Sequence, residues 1–182
     1  DEGARPAAIV AGPIIGALTD NSADAVLVLA TPGTRVHLLV QAEGSTGAAI
    51  SSPEATSPTW PNGAVHLPVA GLAANTVYRW QVALNHELVP GYTGSFRTCP
   101  PAGKAASFSF AFGCCRREDR PEISGLVAAS KRQPLFFLEL GDFNYDDIKV
   151  NDAAVFRASY ARTFRLTSLQ PLLRQTALAY IW

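Results

Sequence analysis

The sequence predicts two unlike units in tandem, an all-β sandwich and then the first part of an α/β layered domain. Three observations carry that expectation. Short apolar, β-rich runs separated by turn residues fill the first 98 positions. A Pro-Pro break with small residues around it follows at 99–106. Beyond it, strand-like and helix-like stretches alternate.

Composition sets the limits. Of 182 residues, 48% are hydrophobic, enough for a real core and against global disorder. Lys plus Arg and Asp plus Glu number 15 each. With no net field to attract a polyanion, a dedicated nucleic-acid binder is not expected. No apolar run reaches the roughly 20 residues of a membrane span. The chain opens on Asp1-Glu2-Gly3 and contains no Met, as a processed terminus would, so a secreted or periplasmic protein is expected. Three cysteines leave two readings open, a disulfide plus one special thiol or three buried thiols.

Residues 23–31 (ADAVLVLAT) and 34–41 (TRVHLLVQ) read as strands joined by a hairpin-like Pro32-Gly33. The Ser-, Thr- and Pro-rich stretch 46–62 reads as loop or irregular edge. Residues 64–70 form a further strand. Stretch 76–84 alternates, with Tyr78, Trp80 and Val82 on one face and Val77, Arg79 and Gln81 on the other. Residues 94–98 close the series. Within GLAANTVY (71–78), Leu72 and Tyr78 resemble the core leucine and corner tyrosine that precede a strand of fibronectin III and immunoglobulin-like domains. Residues 1–98 are assigned to that unit, which is expected to close its own core, and 99–106 to a linker.

Residues 107–182 are assigned to the second unit. Residues 107–113 (SFSFAFG) form a strand with phenylalanines at alternate positions. Residues 122–132 read as a helix starting after Pro121. The near-continuous apolar run 135–140 suits a strand covered on both faces. Helices are expected at 151–164 and 169–174, and a strand at 177–182 (ALAYIW). Three strands and two or three helices are too few for a complete α/β layer, so the second domain is expected to be truncated.

Ligands in α/β sheets gather beyond the carboxyl ends of strands. One such end here carries Gly113-Cys114-Cys115-Arg116-Arg117, the other Gly141-Asp142-Phe143-Asn144-Tyr145-Asp146-Asp147. A carboxylate after a turning glycine is placed to bridge cations, although Gly-Asp also makes ordinary turns. Asp146-Asp147 reads as a solvated loop or helix cap. Arg116-Arg117 reads as surface or as a phosphate contact. His37, His66 and His86 read as strand-face or loop residues of the first unit, and residues 107–182 contain no histidine.

The ordered set F-x-F-A-F-G-C-C, L-E-L-G-D-F-N-Y and A-Y-I-W, with Pro13-Ile14-Ile15-Gly16 near the start, resembles the PhoD-like alkaline phosphatase and phosphodiesterase family. That resemblance implies an immunoglobulin-like domain before a layered α-β-β-α metallophosphatase domain, of which this chain holds the N-terminal part. It implies hydrolysis of small phosphate mono- or diesters by a metal-activated hydroxide. It carries over Cys115, Asp142 and Tyr145 as metal ligands, Cys114 standing where a small residue is usual. Thiolate plus phenolate suits a ferric ion, and oxygen ligands suit a neighbouring calcium. With Cys115 on metal, Cys99 and Cys114 are left as a candidate disulfide. An alternative of another class is a cell-surface adhesion or glycan-binding module, which leaves both motif-bearing strand ends idle.

Overall fold

The computed structural model describes residues 9–59, 63–115 and 124–181. Up to residue 97 these form β1 (Ile9–Gly16), β2 (Ser22–Leu29), β3 (Arg35–Ala42), β4 (Ile50–Ser51), β5 (Ala55–Thr56), β6 (Val65–Ala70), β7 (Val77–Leu84) and β8 (Glu87–Arg97). One antiparallel sheet has the order β1-β2-β6; the other runs β4-β3-β7-β8, with β5 also on β3. Alternation decides the inner faces. Ala25, Leu27 and Leu67 of the first sheet meet Val36, Leu38, Trp80 and Val82 of the second in one buried core. The predicted corner is present: Leu72 is buried, and the Tyr78 hydroxyl accepts from the Ala73 amide at 2.8 Å.

Pro32-Gly33 does not make a hairpin. The chain crosses there from one sheet to the other, so β2 and β3 present their buried faces to each other instead of pairing. The crossing is held from outside, because Gly33 N donates to Ser57 O at 3.0 Å and Thr34 N to Ser57 Oγ at 3.0 Å. Turn chemistry is the same for both outcomes, which is why the residues alone pointed to the commoner one. Stretch 46–62 does contribute edge, in β4 and β5. The closing strand is β8, much longer than 94–98. A strand at 9–16 was not foreseen because Pro13 interrupts it. It is tolerated because β1 is a sheet edge whose register shifts between Ala11 and Ile14. Gly12 beside it has φ +85°, and a Cβ there would stand 2.5 Å from Val26 O, so only glycine fits.

The remaining elements are β9 (Ala111–Gly113), α1 (Ser124–Lys131), β10 (Phe136–Glu139), α2 (Ala153–Phe164), α3 (Gln170–Leu173) and β11 (Ala177–Tyr180). The sheet order is β11-β10-β9, all parallel. Leu126 of α1 and Leu172 and Leu173 of α3 pack with Phe137 and Phe143 in a second core, against which Tyr160, Phe164 and Leu178 also lie. Only 111–113 of the stretch 107–113 is strand. Its alternate phenylalanines do share a face, but an exposed one: Phe110 stacks on Phe136 with centroids 5.2 Å apart, and Phe112 is 66% exposed.

The first core is not self-contained. Ala177 of β11 is buried within it, Phe136 packs against it, and Ile14 of β1 reaches into the second core. Ser95 N donates to Arg174 O at 2.7 Å. Gly94 makes that approach possible, since a Cβ there would collide with Arg174 O and the Trp80 ring.

Candidate metal centre

Parallel pairing brings the two motif-bearing strand ends side by side. Glu139 at the end of β10 is in register with Gly113 at the end of β9. Beyond them the backbones stay in contact, Leu140 N donating to Gly113 O at 2.8 Å and Cys115 N to Gly141 O at 3.3 Å. The chain then turns sharply at both ends. Gly141 has φ +109°, Asp142 +52° and Cys115 +57°. A Cβ on Gly141 would meet only Ile181 O, at 3.9 Å. It is therefore the dihedral, not the space, that calls for glycine. Left-handed non-glycine residues cost on the order of 1–3 kcal/mol each and collect at functional sites. Here two of them re-aim a thiol and a carboxylate toward each other.

The three candidate ligands converge on one atom. The Tyr145 hydroxyl donates to Asp142 Oδ2 at 2.8 Å, and Cys115 Sγ donates to that same oxygen at 3.7 Å. All three side chains are exposed. The hydrogen bond to Asp142 pushes the Tyr145 phenol above its ordinary pKa, with desolvation adding to it. The Cys114 thiol is likewise pushed up, chiefly by its hydrogen bond with Cys115. Of the two adjacent cysteines, Cys115 is the one that addresses the carboxylate.

What holds the 141–147 loop was not read from the sequence. Phe143, 1% exposed, is its anchor, with its ring 4.9 Å from Phe164 and 5.7 Å from Tyr180. Asn144 Nδ2 donates to Ser159 Oγ at 2.5 Å and to Thr163 Oγ1 at 3.0 Å, while its Oδ1 accepts from Asp146 N at 3.0 Å. Asp147 is an exposed loop residue, as expected, but Asp146 beside it is half-buried and caps no helix. Its carboxylate accepts from Ser159 Oγ and pairs with Arg162, and these contacts, Ser159 first, hold its pKa below the usual value. The cap of α2 is Asp152, whose Oδ1 accepts from Ala154 N at 2.8 Å. A signal was available: Ser159 and Thr163 lie four apart on one helix face, and both are buried. Glu139, 3% exposed, is a further carboxylate the sequence reading passed over; the Tyr180 phenol nearby is pushed up, chiefly by desolvation and its hydrogen bond with Tyr160.

All three cysteines are free thiols. Cys99 does not pair with Cys114; its Sγ lies 3.6 Å from Leu18 O, and burial raises its pKa. Nor are the three uniformly buried, since Cys114 and Cys115 are exposed. Arg116 and Arg117 lie outside the described residues. No described helix is long and apolar enough to cross a membrane.

No protein-family model matches the sequence. No curated protein sequence matches it. Among solved structures, PhoD superposes on 100% of this chain with a TM-score of 0.81 at 17% identity. A purple acid phosphatase from yellow lupin (Lupinus luteus) seeds superposes on 92% with a TM-score of 0.68 at 9% identity. The chain spans 40% of the PhoD chain and 34% of the lupin chain. At these identities what is shared is the fold.

Proposed function

We propose that this chain carries the front part of a metal-dependent phosphoesterase, and that Cys115, Asp142 and Tyr145 belong to its metal centre. The observation that supports this best is the meeting of a thiol, a phenol and a carboxylate at one carboxylate oxygen, at the carboxyl ends of two neighbouring parallel strands. Fold likeness to PhoD, which bears the name of the family the motifs resemble, and to a phosphatase by name points the same way.

The donor set fits a metal. Asp142 Oδ2 already gathers the two other groups, and each gives up a proton to become a ligand. The mixture of soft sulfur with hard oxygens favours ferric iron, with calcium as a neighbour on oxygen ligands. Such ions supply Lewis acidity, lowering the pKa of water and offsetting charge on phosphoryl oxygens. The chain's own part is to orient. The turns at Cys115 and Gly141-Asp142 aim the ligands, and the Phe143 and Asn144 anchors hold the loop that bears two of them. Because the chain spans two fifths of PhoD, hydrolysis is assigned to the whole protein, with the substrate class set at phosphate mono- or diesters.

The test is metal content and turnover of the whole protein loaded with iron and calcium, using a chromogenic phosphodiester and a phosphomonoester. Stoichiometric iron that disappears in Cys115→Ser, together with turnover of either ester, supports the reading. Turnover that persists in metal-stripped protein contradicts it.

A further inference from the structure

We infer that the outer face of the sandwich holds a separate metal site, for one transition ion of the zinc class, built by His37, Glu54 and His86. Their imidazole nitrogens and carboxylate oxygen all lie within 4.8 Å of one another. Nothing in the phosphoesterase reading uses them.

Sheet register assembles the site from β3, the residue before β5 and the turn between β7 and β8. His37 lies on β3 between the buried Val36 and Leu38, so it points outward. The β3–β5 register pairs Arg35 with Thr56 and Val36 with Ala55. One step further sets Glu54 beside His37. On the other flank, Leu84 pairs with Glu87, and Asn85 and His86 form the turn between β7 and β8. That turn is locked to β3, Asn85 N donating to Arg35 O at 2.8 Å and Arg35 N to Asn85 Oδ1 at 3.1 Å. The scaffold is therefore preorganised, and the two imidazole centroids stand 5.9 Å apart.

Two charged groups lie close to His86 Nε2, where an ion could replace one of them. Arg35 Nη1 lies 3.3 Å from this nitrogen and Glu54 Oε2 3.5 Å from it. The guanidinium can donate to an unprotonated Nε2, which leaves the Glu54 carboxylate beside that nitrogen with a charge contact and no hydrogen bond to it. An ion held by His86, Glu54 and His37 satisfies the nitrogen and the carboxylate together and releases the Arg35 head to solvent. Two imidazoles, one carboxylate and an open position for water form a zinc-type donor set. All three groups reach solvent, so small rotations suffice to close on an ion. The ion would tie the β5 edge and the β7–β8 turn to β3.

The site is tested in the 182-residue chain carrying Cys115→Ser and Asp142→Asn, which leaves the sandwich cluster as the candidate ligand set. Titration with Zn²⁺, and with Co²⁺ as a spectroscopic substitute, is followed by equilibrium dialysis, absorption and thermal unfolding. One ion per chain with micromolar or tighter affinity is expected, with a rise in Tm that grows with metal concentration. His37→Ala and His86→Ala should each weaken binding by more than the roughly 10–100-fold typical of losing an outer-shell partner, and abolish the Tm shift. Arg35→Ala should bind as tightly or more tightly, because the competing cation is gone. Absence of micromolar binding, full affinity in His86→Ala, or weakened binding in Arg35→Ala each overturns the site.

Discussion

Tyr145 and Asp142 are joined by a 2.8 Å hydrogen bond from the phenol to Oδ2, the oxygen that Cys115 Sγ also addresses. Two groups from the segments beyond β9 and β10 thus meet one oxygen of Asp142, which makes Asp142 the residue to remove first. Asp142→Asn keeps the shape and tolerates the left-handed backbone at φ +52°. Metal content of the purified protein should fall at least about tenfold, while stability stays within about 0.5 kcal/mol of wild type because the side chain is exposed. Inductively coupled plasma analysis paired with chemical denaturation checks both halves; full metal retention removes Asp142 from the centre.

Asn144 acts through the loop, not on a metal. Asn144→Ala leaves Ser159 and Thr163, both buried, without their shared donor. A loss of about 1–3 kcal/mol in stability is expected. Metal affinity should drop about 10–100-fold as Asp142 and Tyr145 lose their fixed spacing. Denaturant titration and metal dialysis on the same variant separate the two effects.

Asp146 sets a pH dependence. Its folded pKa lies below the usual carboxylate value because Ser159, then Arg162 and Asn144, favour the ionised form. The stabilisation is therefore fully present above the unfolded pKa of about 3.9 and is lost as pH falls through the lower folded value. The stability gap between wild type and Asp146→Asn should be widest near neutrality and shrink on acidification. A gap that stays constant below that range shows the clamp to be non-ionic.

The contact between sandwich and α/β unit depends on Gly94. Gly94→Ala drives a Cβ into Arg174 O and the Trp80 ring, and overpacking of this kind costs about 1–3 kcal/mol. Gly125→Ala is the control: it sits in α1 with nothing near its Cβ, so it should stabilise by up to about 1 kcal/mol. Equilibrium unfolding of the pair measures the difference, and equal effects contradict the packing argument.

The thiols are distinguishable. Under denaturing, non-reducing conditions all three should react with a thiol reagent. In the native metal-free chain the exposed Cys114 and Cys115 should react well before the half-buried Cys99. A denatured, unreduced chain with a single reactive thiol would mean that two are paired.

Much of the fold was legible in local pattern. Alternation identified the buried face of β7, Tyr78, Trp80 and Val82, because a strand with one wet side repeats every two residues. The alternation of strands and helices after residue 106 announced an α/β layered unit, and the Cys and Gly-Asp motifs marked two strand ends as chemically unusual. Local pattern carries no information about which strand lies beside which. Pro32-Gly33 reads the same whether it folds a hairpin or crosses between sheets, and only the opposed hydrophobic faces of β2 and β3 made it a crossing. Pro13 hid β1, since a missing amide is harmful inside a sheet and harmless at its edge, and edge position is a tertiary property. The same limit applied to the site. The motif resemblance named Cys115, Asp142 and Tyr145 as candidates, but their meeting at one oxygen depends on β9 lying parallel to β10 and on left-handed turns at both ends. Asn144, Ser159 and Asp146 gained their roles only when α2 packed against the loop. The cluster of His37, Glu54 and His86 arises in the same way: it spans 50 residues of chain, and sheet register alone makes its members neighbours.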